Sequence, residues 1–88
     1  MEFEFDPRKS ERHKAKHGID FIAAQALWKS KRVVVGAKDI SEKRYLVIGT
    51  IGPEHWSAII TYRRARIRII SVRRSTPVEI ETYEKIAG

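Results

Sequence analysis

The spacing of apolar and polar positions changes several times along the chain, and each change predicts a new element. Phe3 and Phe5 alternate with Glu2, Glu4 and Asp6. That period of two predicts a short strand with both rings on one face. Asp6-Pro7 predicts a helix start, with Asp6 as N-cap and Pro7 as the first helical residue. The helix extends to about His17, and Gly18 is its natural left-handed stop. Within RKSERHKAKH only Ala15 is apolar. Such a helix has no stripe to bury, so it is either poorly packed or kept for its charge. Asp20 caps a second predicted helix, from 21 to about 29. Phe21, Ala24, Leu27 and Trp28 follow the i, i+3, i+6, i+7 pattern and give it a core face. Ile19 is placed to staple against Ala24.

The period then shortens again. Arg32-Val33-Val34-Val35 predicts a strand ended by Gly36, and Arg44 to Ile51 predicts the next. Gly52-Pro53 turns the chain, and His55-Trp56 reads as loop. Ser57 to Arg63 and Arg66 to Arg73 form a predicted hairpin through Arg64-Ala65, although neither residue favours a two-residue hairpin turn. The middle strands are apolar at successive positions, as expected of strands covered on both faces. Thr76-Pro77-Val78-Glu79 is a capping box with proline at the first helical position. It opens a helix from 77 to about 86 that buries Ile80, Tyr83 and Ala87. The expected fold is α+β in the order β-α-α-β-β-β-β-α. Helices pack on a twisted, mainly antiparallel sheet in one domain over residues 1–88.

Composition narrows the function. With 88 residues and 42% hydrophobic content, the chain supports one modest core. It has no cysteine, hence no disulfide framework and no thiolate metal site, which fits a reducing cytoplasm. The opening MEFEFDPRK lacks the pattern of a signal peptide. No apolar run approaches the roughly 20 residues that span a membrane. The formal net charge of +7 favours a polyanionic partner: RNA, DNA or an acidic protein.

Few constellations carry chemistry. His13 and His17 stand at i, i+4, a spacing that suits one metal ion. A third ligand is missing and Lys14 and Lys16 add repulsion, so neither metal nor cofactor is expected. No Gly-rich phosphate loop, nucleophile elbow or Ser/His/Asp spacing is present. Trp56 either stacks on a base or covers the edge of the core. The arginines say more. Arg44 begins one strand, Arg63 ends the next, and Arg66 and Arg73 bracket the last. Antiparallel pairing brings one strand's start to its neighbour's end. Arg44, Arg63 and either Arg66 or Arg73 can therefore gather into a phosphate site.

Metal-free RNA cleavage uses the ribose 2′-hydroxyl as nucleophile. It needs a base, an acid for the leaving 5′-oxygen, and cations for the phosphorane. Arginine suits the last role through its planar fork and permanent charge. For the proton transfers, His13, His17, Tyr62, Tyr83 and the carboxylates all stand open.

The stretch FEFDPRKSERHKAKHGIDF resembles the opening of the BrnT family of bacterial toxins, roughly FEWDPxKxxxNxxKHGVxF, at Asp6, Pro7, Lys9, Lys16, His17, Gly18 and Phe21. EKRYLVIG resembles the family's ExRxxxIG at Glu42, Arg44, Ile48 and Gly49. TYRRARIRIISVRRS resembles TERGDRIRIISARRA at Thr61, Arg63, Arg66 through Ser71, Arg73 and Arg74, and Tyr83 fits the tyrosine of the family's last helix. The resemblance implies a RelE-like fold and a ribonuclease toxin of a type II toxin–antitoxin pair. It also implies a BrnA-type ribbon-helix-helix antitoxin, operator DNA reached through that antitoxin, and no metal. Arg44, Arg63 and Arg73 are then the expected phosphate and transition-state contacts, with Tyr83 as a helper. Lys9, Lys16, His17, Arg66 and Arg74 are the expected RNA-facing rim. The chain departs from the pattern at His13 (asparagine), Trp28 (phenylalanine), Ile60 (tyrosine), Tyr62 (acidic) and Arg64 (glycine). Those departures keep a second expectation alive: a toxin-like module without enzymatic activity that engages an antitoxin and its operator.

Overall fold

A computed structural model describes residues 2–37 and 42–88. The chain runs β1 (Glu2–Phe5), α1 (Pro7–His17), a 3-10 helix (Ala23–Lys29), β2 (Arg32–Ala37), β3 (Arg44–Ile51), β4 (Glu54–Arg63), β5 (Arg66–Arg74) and α2 (Pro77–Ala87). The five strands form one sheet in the order β1-β5-β4-β3-β2. All neighbours are antiparallel except β1, which lies parallel to β5 with Phe5 opposite Ile69. The sheet is therefore mainly antiparallel, as expected. Beyond Ile69, β5 has no β1 residue beside it, so its last part is an open edge.

Both faces of the sheet are covered. One carries Val47, Ala58, Ile60, Ile67, Ile69 and Val72, packed with Phe21, Ala24 and Leu27. Phe3 and Phe5 join this core through edge-on contacts with Trp28 and Phe21. The other face packs Val33, Ile48, Val35 and Leu46 against Tyr83 and Ala87 of α2. The apolar runs of the middle strands thus feed two cores, for the reason that successive strand residues point to opposite faces.

Four expectations need correction. The second helix is a 3-10 helix starting at Ala23, not an α-helix from 21. Asp20 still caps it, its Oδ1 accepting from Ala23 N at 2.8 Å. The core residues Phe21, Ala24 and Leu27 are three apart, and a repeat of three residues per turn aligns them as well as 3.6 does. β2 does not stop at Gly36 but pairs through it to Ala37. β4 begins at Glu54, so His55 and Trp56 lie in a strand and not in a loop. β5 continues past Arg73 to Arg74, opposite Trp56.

Two local features set the packing. A Cβ on Gly49 would stand 3.0 Å from Leu27 Cδ2 and 3.4 Å from Lys31 O, so glycine lets the 3-10 helix lie on β3. The second feature is a register shift between Ile59 and Ile60, which pair with Ser71 and Ile69 and leave Ile70 as an extra residue in β5. Such a bulge bends a strand and re-aims the residues beside it.

Candidate functional site

α1 has no apolar stripe, and it docks through polar side chains instead. Asp6 caps it by accepting from Arg8 N, and Gly18 closes it at φ 80°. Ser10 is buried, and its Oγ accepts from Phe21 N at 2.9 Å. One turn on, the His13 ring lies 4.8 Å from the Phe21 ring. His13 Nδ1 is 2.8 Å from Lys9 O, and its Nε2 is 3.2 Å from Ser71 Oγ on the bulged part of β5. A carbonyl only accepts, so Nδ1 carries a proton. In the neutral ring Nε2 therefore accepts from the Ser71 hydroxyl. Ala15, the one apolar residue, is exposed.

This docking leaves Arg12, His13, Lys16 and His17 lining one side of a shallow cleft, with Ser71 opposite. The His13 and His17 rings lie 5.5 Å apart. His17 is held below the ordinary imidazole value, first by desolvation and then by the charges of His13, Lys16 and Arg73. The negative end of the α1 dipole favours the imidazolium, but desolvation and the neighbouring cations outweigh it. His17 is thereby biased toward the neutral form, which can take a proton.

Arg73 is fixed from the other side of the sheet. Its Nη1 and Nη2 donate to Glu79 Oε1 and Oε2 at 2.7 and 2.8 Å. Glu79 also accepts from Ser57 Oγ at 2.9 Å and from Thr76 N at 2.9 Å. Ser57 spends its single hydrogen on Glu79, so Ser75 Oγ, 2.7 Å away, donates to Ser57. These donors, the Arg73 pair foremost, hold the Glu79 carboxyl down at about 2. The same pair keeps Arg73 more firmly protonated than a free guanidinium. Arg74, next along the strand, pairs with Glu54 and lies over the Trp56 ring.

Of the two expected groupings, Arg63 and Arg66 do lie together at the hairpin, with Arg44 toward the same end, whereas Arg73 lies apart. Arg44 and Arg63 lie at the opposite end of the sheet from Arg73. Arg63 faces Arg66 across the hairpin, while Arg73 faces Ser57. From Ser57 to Arg63 the strand rises roughly 20 Å, at about 3.3 Å per residue. Arg63 is 3.4 Å from Glu42 and Arg66 is 3.5 Å from Glu2. Tyr83 sits in the second core, its hydroxyl donating to Lys31 O at 3.3 Å and its ring edge-on to His55. Lys16, His17 and Arg73 do come together, Lys9 holds His13 through its carbonyl, and Arg74 turns away to Trp56 and Glu54. Sequence reasoning missed Arg12 and Ser71 in the cleft and saw Glu79 only as a helix cap. Arg12 was visible as the i, i+4 neighbour of Lys16, whereas Ser71 was marked only as one of several residues in the matched motif, with no role attached.

Among the described residues, no three His, Asp or Glu side chains converge as a metal ion would require. No described helix is long and apolar enough to cross a membrane. A comparison with curated proteins finds no match. The family model described as "Ribonuclease toxin, BrnT, of type II toxin-antitoxin system" matches residues 5–79. That span runs from the end of β1 to Glu79 and takes in α1, the β5 bulge and every residue of the cleft, although Tyr83 lies beyond it. The chain therefore belongs to the BrnT family, the ribonuclease toxins of type II toxin–antitoxin systems.

Proposed function

We propose that the chain is an endoribonuclease that cleaves mRNA without a metal, inhibits translation and is neutralised by a BrnA-type ribbon-helix-helix antitoxin. The RelE-like relationship and operator DNA bound through the antitoxin belong to the same reading. What supports it most is the convergence of Lys16 and His17 from α1 with Ser71 and Arg73 from β5. These four residues come from two distant segments, both within the span that matches the family. A solvated basic surface would not require two histidines and a serine lining one cleft, with a braced arginine acting on it from beside.

The reaction follows from those groups. Neutral His17 takes the proton of the ribose 2′-hydroxyl. The 2′-oxygen forms a bond to phosphorus, and the bond from phosphorus to the 5′-oxygen breaks. The leaving oxygen receives a proton from the Ser71 hydroxyl, and the His13 ring hydrogen-bonded to that serine returns one to it. Arg73, Lys16 and Arg12 balance the charge of the phosphorane. Glu79 keeps the Arg73 fork in one orientation, which lowers the cost of ordering it. The products are a 2′,3′-cyclic phosphate and a 5′-hydroxyl end.

Inducible expression followed by RNA analysis tests this reading. Wild type should slow growth and leave RNA fragments with 5′-hydroxyl ends, while Arg73→Ala and His17→Asn should do neither. Cleavage by the purified chain should persist in a chelator. If wild type neither slows growth nor cuts RNA, and Arg73→Ala behaves identically, the chain is a non-enzymatic module that engages an antitoxin.

A further inference from the structure

The β4–β5 hairpin lies at the far end of the sheet from the cleft and has its own chemistry. Tyr62 is 51% exposed, although aromatic rings on strands are normally kept for cores. Its ring is 5.2 Å from the partly buried Tyr45, which anchors it from below. The turn residue Arg64 has φ 56°, the left-handed region in which glycine is at ease and a long side chain is strained. Arg64 is exposed, and among the described residues no carboxylate pairs with it. Among the described residues, Arg63, Arg66 and the exposed Lys43 lie around it; Arg63 pairs with Glu42 and Arg66 with Glu2, and Glu4 beside them pairs with Arg68. Among the described residues, five cations (Arg63, Arg64, Arg66, Arg68 and Lys43) against three carboxylates (Glu2, Glu4 and Glu42) leave this end positive.

We propose that the hairpin end is a second contact surface for single-stranded RNA, separate from the cleft. A base stacks on Tyr62 over Tyr45, and phosphates lie against Arg64, Arg63 and Lys43. Any base offers a ring face, so the contact is tolerant of sequence. It extends the grip on a strand that reaches Arg73, roughly 20 Å away along the sheet. A strained arginine in a turn fits this role, because strain is retained where the side chain is needed. This inference rests on the RNA-cleaving reading for its ligand.

The test is binding of a fluorescent 2′-O-methyl oligouridylate, which lacks the attacking hydroxyl, to the full chain and to Tyr62→Ala, Arg64→Gly and Arg73→Ala. Tyr62→Ala should weaken binding roughly tenfold, as loss of one stacked base does. Arg64→Gly should weaken it and lower the salt slope by about 0.7, one phosphate contact on a single strand. Arg64→Gly should at the same time melt higher than wild type, so its lost binding cannot be blamed on misfolding. If only Arg73→Ala binds less, the hairpin surface is overturned and the cleft stands. If wild type neither binds nor cuts RNA, both readings fall. If Tyr62→Ala and Arg64→Gly keep RNA binding but lose binding to polyglutamate, the surface serves an acidic protein and the RNA proposal is overturned.

Discussion

Glu79→Gln changes one atom on the residue that ties the start of α2 to β4 and β5. The carboxylate is only 14% exposed and takes hydrogen bonds from both Arg73 nitrogens, Ser57 and Thr76. Glutamine keeps the shape but turns one acceptor into a donor, which then faces Arg73 or Ser57. A carboxyl held at about 2 stabilises the fold by on the order of 3 kcal/mol, at about 1.4 kcal/mol per tenfold change in proton affinity. Arg73 is 36% exposed, and solvent screening reduces the figure to roughly 2 kcal/mol. For a domain of this size that lowers Tm by roughly 10 °C near neutral pH.

The pH dependence gives the sharper readout. A carboxyl with a depressed folded-state pKa contributes fully above its unfolded value, roughly 4.3. That contribution is lost as pH falls through its folded value, about 2. Thermal unfolding of wild type and variant, followed by circular dichroism between neutral pH and about pH 2, should therefore show curves far apart at neutral pH that converge in acid. Equal melting temperatures at neutral pH, or an offset that stays constant down to the lowest pH, would refute this account of the Arg73–Glu79 pair.

Three further outcomes follow from the packing and the cleft. The His17 imidazole proton, followed by NMR, should titrate below an ordinary histidine, and His13→Asn should raise its midpoint by removing a neighbouring charge. Because the folded value is depressed, this group's contribution to stability is complete above the unfolded histidine value and declines as pH falls. Ser10→Ala strands the buried Phe21 N–H and should cost about 1–3 kcal/mol in urea unfolding. Gly49→Ala pushes a Cβ toward Leu27 and the Lys31 carbonyl, and should cost about 1–3 kcal/mol of stability, read as a lower urea midpoint.

Much of the fold was legible in local pattern. The capping box at Thr76–Glu79, the Asp6-Pro7 start and the Gly18 stop lie where expected, because each is a bond between neighbours in sequence. The core face of Phe21, Ala24 and Leu27 was legible too, although their spacing did not separate an α-helix from a 3-10 helix. Assigning His55-Trp56 to a loop failed because the Gly52-Pro53 turn is tighter than expected and β4 starts directly after it. The site was less legible. Family matching picked out Lys16, His17 and Arg73, yet it also picked out Arg44 and Arg63, and no local signal separates the two groups.

The sequence by itself determined where elements start and stop, which faces are apolar, and that the chain carries a cationic surplus matched to a family of RNA-cleaving toxins. These depend on periodicity, caps and composition, which act over a few residues. Tertiary structure alone decided which cations share a site. β1 runs parallel to β5 and ends at Ile69, and this leaves the bulged part of β5 open to α1. α1 docks there through Ser10 and His13, placing His17 beside Arg73, while α2 braces Arg73 from the opposite face through Glu79. Pairing between distant strands sets these juxtapositions, and the period of any one strand carries no information about its neighbour's register.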